Sequence, residues 1–499
     1  MSFMSRIRET FARDEAVEQR EANTIVLRDY KAIAGTGARL LGDMPSMSPV
    51  SGNYDIRAAL TNLRAKGRYL VQNNDYAKKF IALVINNVIG SQGFSLQNKA
   101  KDDNGSFDVV ANGLIEGAFR DWSKKGNCDV SGKYSFRQFQ EMILKTVPRD
   151  GEVFVRIHKG SRYGAHGFCL QLIEPDMLDD MLTKSLPNGN IIFMGVEETA
   201  EGKPVNYYFK KFNAAQVSSM ANITLSNEWV IVPASEIIHL YDAERVSQSR
   251  GVSWFASSVI RMQQLSGFEE ASVVNARVSA AKMGFFKSNN GTDYSGEDVN
   301  EPFTMRVEPG VWEQLPAGLD IASYDPKFPS ESHEAFIKTQ LRGIASGLGV
   351  SYNTLANDLE GVNYSSIRAG LIDERENWKR LQSWFIESFL EVIFPQWLEM
   401  ALVNGAVNLP FVKFDKFNKA EWTGKRWAWV DPMKDIQAQI LAIDNGLKTR
   451  TQVIAEQGGD IEDVFSGLSE EKKLADGYGL SLGDVAAPVL DSNPVTVNK

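Results

Sequence analysis

Apolar residues fall at helical spacing from Tyr54 onward. Ile56, Leu60, Leu63, Leu70 and Val71 mark the apolar side of a helix predicted over residues 55–71. A more apolar helix follows from Tyr76 to Gly90, where glycine stops it, and Phe94-Ser95-Leu96 reads as a short strand. Phe107 to Trp122 reads as a third helix, closed by Gly126. A fourth runs from Tyr134 to Val147, with Phe136, Phe139, Ile143 and Val147 on one face and Pro148 as its stop.

The period then changes from 3.6 to 2. Strands are predicted at Glu152–His158, Phe168–Ile173, Ile191–Met194, Val205–Phe209 and Ile237–Tyr241, separated by turn residues such as Pro187-Asn188-Gly189. Residues 150–245 therefore form a mainly β insert between helices. A long helix is predicted from Ser253 to Phe285. Its first half carries a stripe of Phe255, Val259, Met262 and Leu265. Its second half is rich in Ala and Ser, which permits close helix approach. A strand at Phe303–Val307 and a loop at Asp325–Ser330 come next. A helix from His333 to Leu348 should break around Gly343 and Gly347, and a long one from Ser365 to Leu402 should kink at Pro395. Shorter helices are expected at 432–447 and 449–457. Residues 1–50, with Gly35, Gly37 and the Gly42–Pro49 run, read as loop.

Composition adds limits. A chain of 499 residues with 43% hydrophobic content supports several lobes with sizeable cores. The longest apolar run, Phe80 to Gly90, is broken by Asn86 and Asn87 and is too short to span a bilayer. Cys128 and Cys169 form no CxxC pair and read as reduced thiols. The net charge is −9, which argues against a protein that grips DNA tightly, because phosphate neutralisation drives such binding. An acidic channel that lets DNA slide is compatible with it. From Asp460 to Lys499 eight acids face three lysines, which suggests an acidic tail.

Enzymatic motifs are missing. Gly424-Lys425 has Lys419 where a phosphate-binding loop needs glycine, and Arg426 where it needs Ser or Thr. His333-Glu334 has Ile337 where a zinc helix needs its second histidine. No GxSxG occurs. His158 and His239 lie in strand patterns and read as packed or hydrogen-bonded, and His166 sits in a glycine turn. No nucleophile–base pair and no ligand set for a metal or cofactor emerges. Between Ile56 and Asn74 there is no acid. Arg57, Arg64 and Arg68 share one helical face there, either a solvated face or a contact surface for DNA or an acidic neighbour.

A series of phrases, in order, resembles the lambda family of phage portal proteins. They are Asn73-Asn74-Asp75-Tyr76-Ala77, Asn86-Asn87-Val88-Ile89-Gly90, Asp150-Gly151-Glu152-Val153-Phe154 and Leu170 to Asp176. Then come Gly195-Val196-Glu197, Val232-Pro233-Ala234 with Ile237 to Leu240, Arg250-Gly251-Val252-Ser253-Trp254, Leu341 to Gly349, Tyr364 to Arg368 and Trp429-Val430-Asp431-Pro432. The resemblance covers roughly residues 55–470. It implies an α+β portal fold with wing, stem, clip and a mainly helical crown, assembled as a closed ring of about twelve subunits through a head-to-tail interface.

Mapped by similarity, 1–50 is a flexible N-terminal segment, part of which a head protease would remove in relatives. Residues 51–133 are the first part of the wing, 134–149 the first stem helix, 150–250 the clip and 251–286 the second stem helix. Residues 287–400 are wing, with a tunnel loop near 323–333 and a tunnel helix after it. Residues 401–470 are crown, and 471–499 a flexible acidic tail. Lys327 and Lys338 are the first candidates for phosphate contact in the channel, with Arg261, Arg277 and Lys282 on the stem helix next. Any of these can equally bridge subunits. The resemblance implies a passive, non-enzymatic role in DNA packaging and ejection, in the virion and, during assembly, in the host cytoplasm. The implied partners are copies of itself, the terminase large subunit, major capsid and scaffold proteins, head–tail adaptor proteins and, transiently, double-stranded DNA. No membrane and no cofactor is implied. A head–tail adaptor, or a packaging enzyme such as a terminase or nuclease, is the competing reading.

Overall fold

The computed structural model describes residues 52–211, 228–280, 284–288, 319–323, 333–360, 363–427, 432–457, 459 and 461–480. Its helices, in chain order, are α1 (Gly52–Asn73), α2 (Asp75–Val88), α3 (Val109–Trp122), α4 (Phe136–Asp150), α5 (Val259–Ala280), α6 (His333–Leu348), α7 (Tyr352–Ala356), α8 (Tyr364–Phe385), α9 (Glu391–Val403), α10 (Phe414–Phe417), α11 (Pro432–Asp444), α12 (Arg450–Glu456) and α13 (Ile461–Gly477). The strands are β1 (Ser95–Asn98), β2 (Glu152–Lys159), β3 (Phe168–Ile173), β4 (Lys184–Ser185), β5 (Ile191–Phe193), β6 (Val196–Glu198), β7 (Pro204–Lys210), β8 (Trp229–Pro233), β9 (Ile237–Tyr241), β10 (Gly284–Ser288), β11 (Leu319–Ser323) and β12 (Ala420–Thr423). The fold class is α+β. The N-terminal 1–50 segment, the Phe303–Val307 strand, the loop carrying Lys327, Lys282 and the chain after 480 lie outside the described residues.

The helices start where local chemistry allows. Asn74 caps α2 by accepting a 3.0 Å hydrogen bond from the Ala77 amide. Ser135 and Gln138 form a reciprocal capping box at α4. One large core joins α1–α4, β2, β3, β9, the start of α5, α6, α8 and α9. Its centre is aromatic. Phe119 meets Trp397 edge-to-face with centroids 4.9 Å apart, and Phe136 and Phe139 stack on Phe389 at 6.1 and 6.2 Å.

The β insert is two sheets, not one. Strands β3-β2-β9 form an antiparallel sheet, and β4-β5-β6-β7-β8 form a second. Strand β2 divides its side chains by the pleat. Val153, Val155 and Ile157 join the main core, while Phe154 joins a smaller core with Leu178, Val196, Tyr207, Phe209, Val232 and Ile237. The first sheet thus belongs to the body, and the second covers its far side.

Five expectations change. Pro148 does not end its helix: α4 runs on to Asp150, and Gly151, at φ 97°, turns the chain into β2. Pro148 has no amide to give the Leu144 carbonyl; its own carbonyl, close to the helix end, accepts the Trp254 amide at 3.0 Å. This fourth helix, which the resemblance maps to the first stem helix, packs into the main core with Phe139, Ile143, Leu144 and Val147 fully buried. The long helix starts at Val259, because residues 253–258 are spent seating on the end of α4, and Phe285 belongs to strand β10, paired with β11. Gly343 and Gly347 do not break α6. Their missing side chains leave room for Arg261 and Ser258 of the α5 region: a Cβ at Gly347 would stand 2.6 Å from Ser258 Oγ. Finally, the irregularity expected at Pro395 appears one turn earlier as a π turn, Ile386–Leu390. Pro395 has no amide to give and crowds the carbonyl of Glu391, so the backbone widens ahead of it. At the other end of the chain, residues 461–477, within the stretch from Asp460 that reads as an acidic tail, are helical.

Gly67 shows how tightly α1 lies on α4. A Cβ there would approach the Arg149 carbonyl oxygen to 2.2 Å and Ser253 Oγ to 2.8 Å. Gly67→Ala gains about 1 kcal/mol of helix propensity and loses about 1–3 kcal/mol to overpacking. Net destabilisation is expected, read as a lower urea midpoint. A raised midpoint would contradict this packing.

Candidate functional site

The most concentrated chemistry among the described residues is a buried charge cluster where α1, α4, β2, β9 and the loop 249–253 meet. Its centre is Glu152, the first residue of β2, with no exposed surface. The neighbouring Arg250 is equally buried. Arg250 Nε donates to both Glu152 oxygens at 2.9 and 3.0 Å, and a terminal nitrogen to Oε1 at 2.6 Å. Its other terminal nitrogen donates to the Met194 carbonyl at 2.6 Å. Met194 holds φ 47°, unusual for a bulky residue, in the turn that presents this carbonyl.

Three more donors complete the carboxylate. Arg64 reaches Oε1 at 3.1 Å, while the Gly251 amide and His239 Nε2 each reach Oε2 at 2.9 Å. Burial alone would push the Glu152 carboxyl up. The Arg250 charge and the His239 hydrogen bond outweigh burial and hold it well below the usual carboxylate range. His239 moves down from its ordinary value, because burial and the Arg250 charge outweigh the pull of Glu152. Its Nε2 donates to Glu152, and its ring lies at 31° to that of Phe154 with centroids 4.3 Å apart.

The cluster extends outward through a second acid pair. Arg64 also binds Asp176 at 2.7 Å. Arg68 forms a two-pronged pair with Asp150 at 2.9 and 3.0 Å and reaches Asp176 at 2.5 Å. Arg149 grips the same Asp150 at 2.8 and 2.9 Å. Asp176 would rise with burial but is held low by Arg64 and Arg68. Two glycines make the geometry possible. A Cβ on Gly151 would stand 2.7 Å from the Gly251 carbonyl oxygen, and one on Gly251 would stand 2.2 Å from that of Gly151. The two backbones touch, which brings the Gly251 amide to Glu152.

This arrangement corrects the reading of Arg57, Arg64 and Arg68 as one basic contact face. Arg57 is exposed, but Arg64 is only 2% exposed and Arg68 is half-buried. The acids that pair with them come from Asp150, Glu152 and Asp176, distant in sequence. The absence of acids within α1 therefore reflects partners supplied by other elements.

The channel candidates are not brought together with this cluster. Lys338 on α6 is held by three carboxylates, Glu334 at 2.5 Å, Asp358 at 3.6 Å and Glu360 at 3.8 Å, and the Glu334 hydrogen bond leads in raising its pKa. Arg261 is exposed on α5 and lies across α6 where Gly343 has no side chain. It forms no ion pair among the described residues, and neither does the exposed Arg277. Lys327 and Lys282 lie outside the described residues. The cysteines are free buried thiols, and burial pushes Cys128 up to about 12 and Cys169 up to about 11. His158 is hydrogen-bonded to Gln171 at 2.9 Å, and His239 is packed and paired, as their strand positions suggest. No group of acids, cysteines and histidines among the described residues is placed to hold a metal, and no described helix is long and apolar enough to cross a membrane. Both Glu152 oxygens are occupied by donors from these elements. The cluster ties α1, α4, β2, β9 and the loop 249–253 to one another and to the turns that carry Asp176 and Met194.

Sequence reasoning singled out Asp150-Gly151-Glu152, Asp176 and Arg250-Gly251 only as parts of resembling phrases, and His239 also as a packed or hydrogen-bonded strand residue. An acid directly before the apolar run Val153-Phe154-Val155 is the signal that could have marked Glu152 as buried and paired.

A family described as "Phage portal protein, lambda family" matches residues 43–382, a span holding every residue of the cluster. A protein of Halomonas phage phiHAP-1, described as "Probable portal protein", is 35% identical over 417 residues, covering 82% of this chain and 79% of that protein. Portal protein B of Escherichia phage lambda is 23% identical over 520 residues, covering 93% and 94%. Among solved structures, a chain from the neck of a native gene transfer agent particle, computed with C12 symmetry, has a TM-score of 0.45 at 12% identity, covering 80% of this chain and 93% of that one.

Glu152→Gln leaves Arg250 and Arg64 buried with too little counter-charge. A loss of about 3–5 kcal/mol is expected from denaturant unfolding. Replacing Glu152 and Arg250 together by methionine should cost less than the sum of the single changes; additive losses would deny the coupling. The pH response has a defined sign. The unfolded His239 takes up a proton below about pH 6.5, and the folded one, with its lowered pKa, resists it. Stability is therefore full above that pH and falls as pH drops below it. The urea midpoint of His239→Gln should vary less than the parent's between pH 7 and 5.

Proposed function

Since the chain belongs to the lambda family of phage portal proteins, we propose that it acts as the portal vertex of a tailed phage, a passive ring through which DNA enters and leaves the capsid. The observation that carries this is the family match over residues 43–382, supported by 35% identity to a portal relative across most of both chains. The family is structural, and the buried charge cluster, with both Glu152 oxygens occupied, fits an annulus held rigid while a separate motor, the terminase, does the work. The ring is homo-oligomeric, of about twelve subunits. Terminase large subunit, scaffold, major capsid and adaptor proteins would dock on it.

Residues 251–286 would be the second stem. The outer half of α5 suits that role: Val273 and Val274 stand half-exposed on a single subunit, as on a pillar whose sides meet neighbours. Residues 134–149 would be its embedded root, and the second sheet of the 150–250 insert the clip. Residues 287–400 would complete the wing and line the tunnel, with 401–470 as crown. Among the described channel candidates Arg261 suits this role: its guanidinium lies over Gly343 and forms no ion pair among the described residues, whereas three carboxylates surround Lys338. An acidic channel with few such contacts lets DNA pass without sticking.

Negative-stain imaging with mass determination of the purified chain should give rings with a central hole and no ATPase activity. Only monomers at high concentration, or ATP hydrolysis, would overturn the reading. In packaging or DNA-retention assays, Arg261→Ala should have a larger effect than Lys338→Ala, with ring formation intact in both. The reverse order would reject Arg261 as the phosphate contact.

A further inference from the structure

The Gly424-Lys425 pair lacks the rest of a phosphate-binding loop, and the fold gives both residues another use. Gly424 is a packing residue: a Cβ there would stand 2.7 Å from Phe94 Cε1 and 3.2 Å from the Gln382 amide. Lys425 is fixed at its base. Its carbonyl accepts Gln382 Nε2 at 2.9 Å, and its stem lies over Gly90, just past the end of α2, where a Cβ would stand 3.1 Å from Lys425 Cδ. The tip is a different matter. Lys425 forms no ion pair among the described residues, and the charge that faces it is another cation, Arg375 of α8. Burial and then the Arg375 charge push the Lys425 pKa down. Arg375 is half-buried, with its guanidinium 5.8 Å from the centre of the Trp427 ring. Trp427 packs on the main core and donates Nε1 to Asn87 Oδ1 at 2.9 Å, so it holds Arg375 in place beside Lys425. Burial lowers the Arg375 pKa against the pull of Asp435. That carboxylate also pairs with Arg368 at 3.2 Å. Asp435 therefore answers Arg368 and Arg375 and leaves Lys425 unanswered. Arg426, exposed beside it, adds more positive charge.

We propose that Lys425 and Arg375 bind a phosphate group, at a site separate from the charge cluster around Glu152. Two half-buried cations side by side, in a chain of net charge −9, are costly unless an anion joins them. They come from different elements, α8 and the chain that leaves β12, and so approach an anion from two directions. A phosphate has oxygens for both, some for the edge of a guanidinium and one for a point charge. The Trp427 ring has Arg375 over it and the core against it, and is poorly placed to stack an unpaired base. The group is therefore recognised by charge and not by base identity. The backbone phosphate of duplex DNA and a free phosphate ion share this chemistry.

The test is urea unfolding of the full chain at constant ionic strength. Inorganic phosphate in place of chloride should raise the parent's midpoint. Lys425→Met keeps a stem over Gly90 and removes the charge, so the rise should vanish. In chloride alone this variant should be at least as stable as the parent, because the contact between like charges is gone. Lys379→Met removes an equal charge from the exposed side of α8, where Lys379 pairs with Glu376, and should respond to phosphate as the parent does. A short DNA duplex separates the two sources. Duplex binding that phosphate competes away and Lys425→Met weakens at least fivefold assigns the site to the DNA backbone. A response to phosphate without such binding assigns it to the free ion. Four results would overturn the inference: a parent indifferent to both phosphate and duplex, a Lys425→Met variant that responds as the parent does or is less stable in chloride, a Lys379→Met variant that loses the response equally, and acetate matching phosphate. None of them touches the ring reading.

Discussion

A carboxylate with no exposed surface is stable in a protein only when its charge is matched and its lone pairs are occupied. Glu152 sets that demand on the rest of this chain. Meeting it requires Arg250 from a loop almost a hundred residues away, Arg64 from α1, the ring of His239 from β9 and the amide of Gly251. Arg250 and Gly251 share one loop, and Arg64 and His239 come from two further elements. The segments are therefore fixed in distance and orientation to within the tolerance of a hydrogen bond, and Arg250 adds the turn at Met194 through its carbonyl. Apolar packing alone does not give this, because it tolerates small slides that a two-pronged ion pair does not.

The consequence is a joint rather than a reaction centre. The chain leaves the body at Asp150, runs through two sheets and returns at Arg250, and the two ends are clamped together with Gly151 and Gly251 in backbone contact. Whatever load falls on the outer sheet is passed to the body at this point. The outer sheet itself is held by a small apolar core and by polar ties, such as Thr61 to Asp180 at 2.6 Å, so its attachment depends on the same corner of α1 as the cluster does. The matched charges of Glu152 and Arg250 hold that corner rigid.

The helical part of the fold was legible because its periodicity is strong. The apolar stripe of α1, the Phe136–Val147 stripe of α4 and the strand alternation of β2 and β9 all appear where the pattern places them, with ends shifted by a few residues. The errors share a cause. Pro148, Gly343, Gly347 and the start of α5 were read by their local habits, and in each case a distant segment changed the outcome. The Trp254 amide satisfies the carbonyl of Pro148, and Arg261 and Ser258 occupy the space that the α6 glycines leave.

The sequence by itself determined the succession of helices and strands, the absence of enzymatic motifs and, through phrases spread along the chain, the portal family. These are properties of residue order, and order is what local spacing and family resemblance read. It did not determine the charge cluster. Arg57, Arg64 and Arg68 are equivalent along the helix. Only the tertiary fold, by bringing Asp150, Glu152 and Asp176 against one end of that face, leaves Arg57 in solvent and buries Arg64. The reason is physical: the cost of a buried charge is settled by partners within a few ångströms, and sequence separation carries no information about which partners those are.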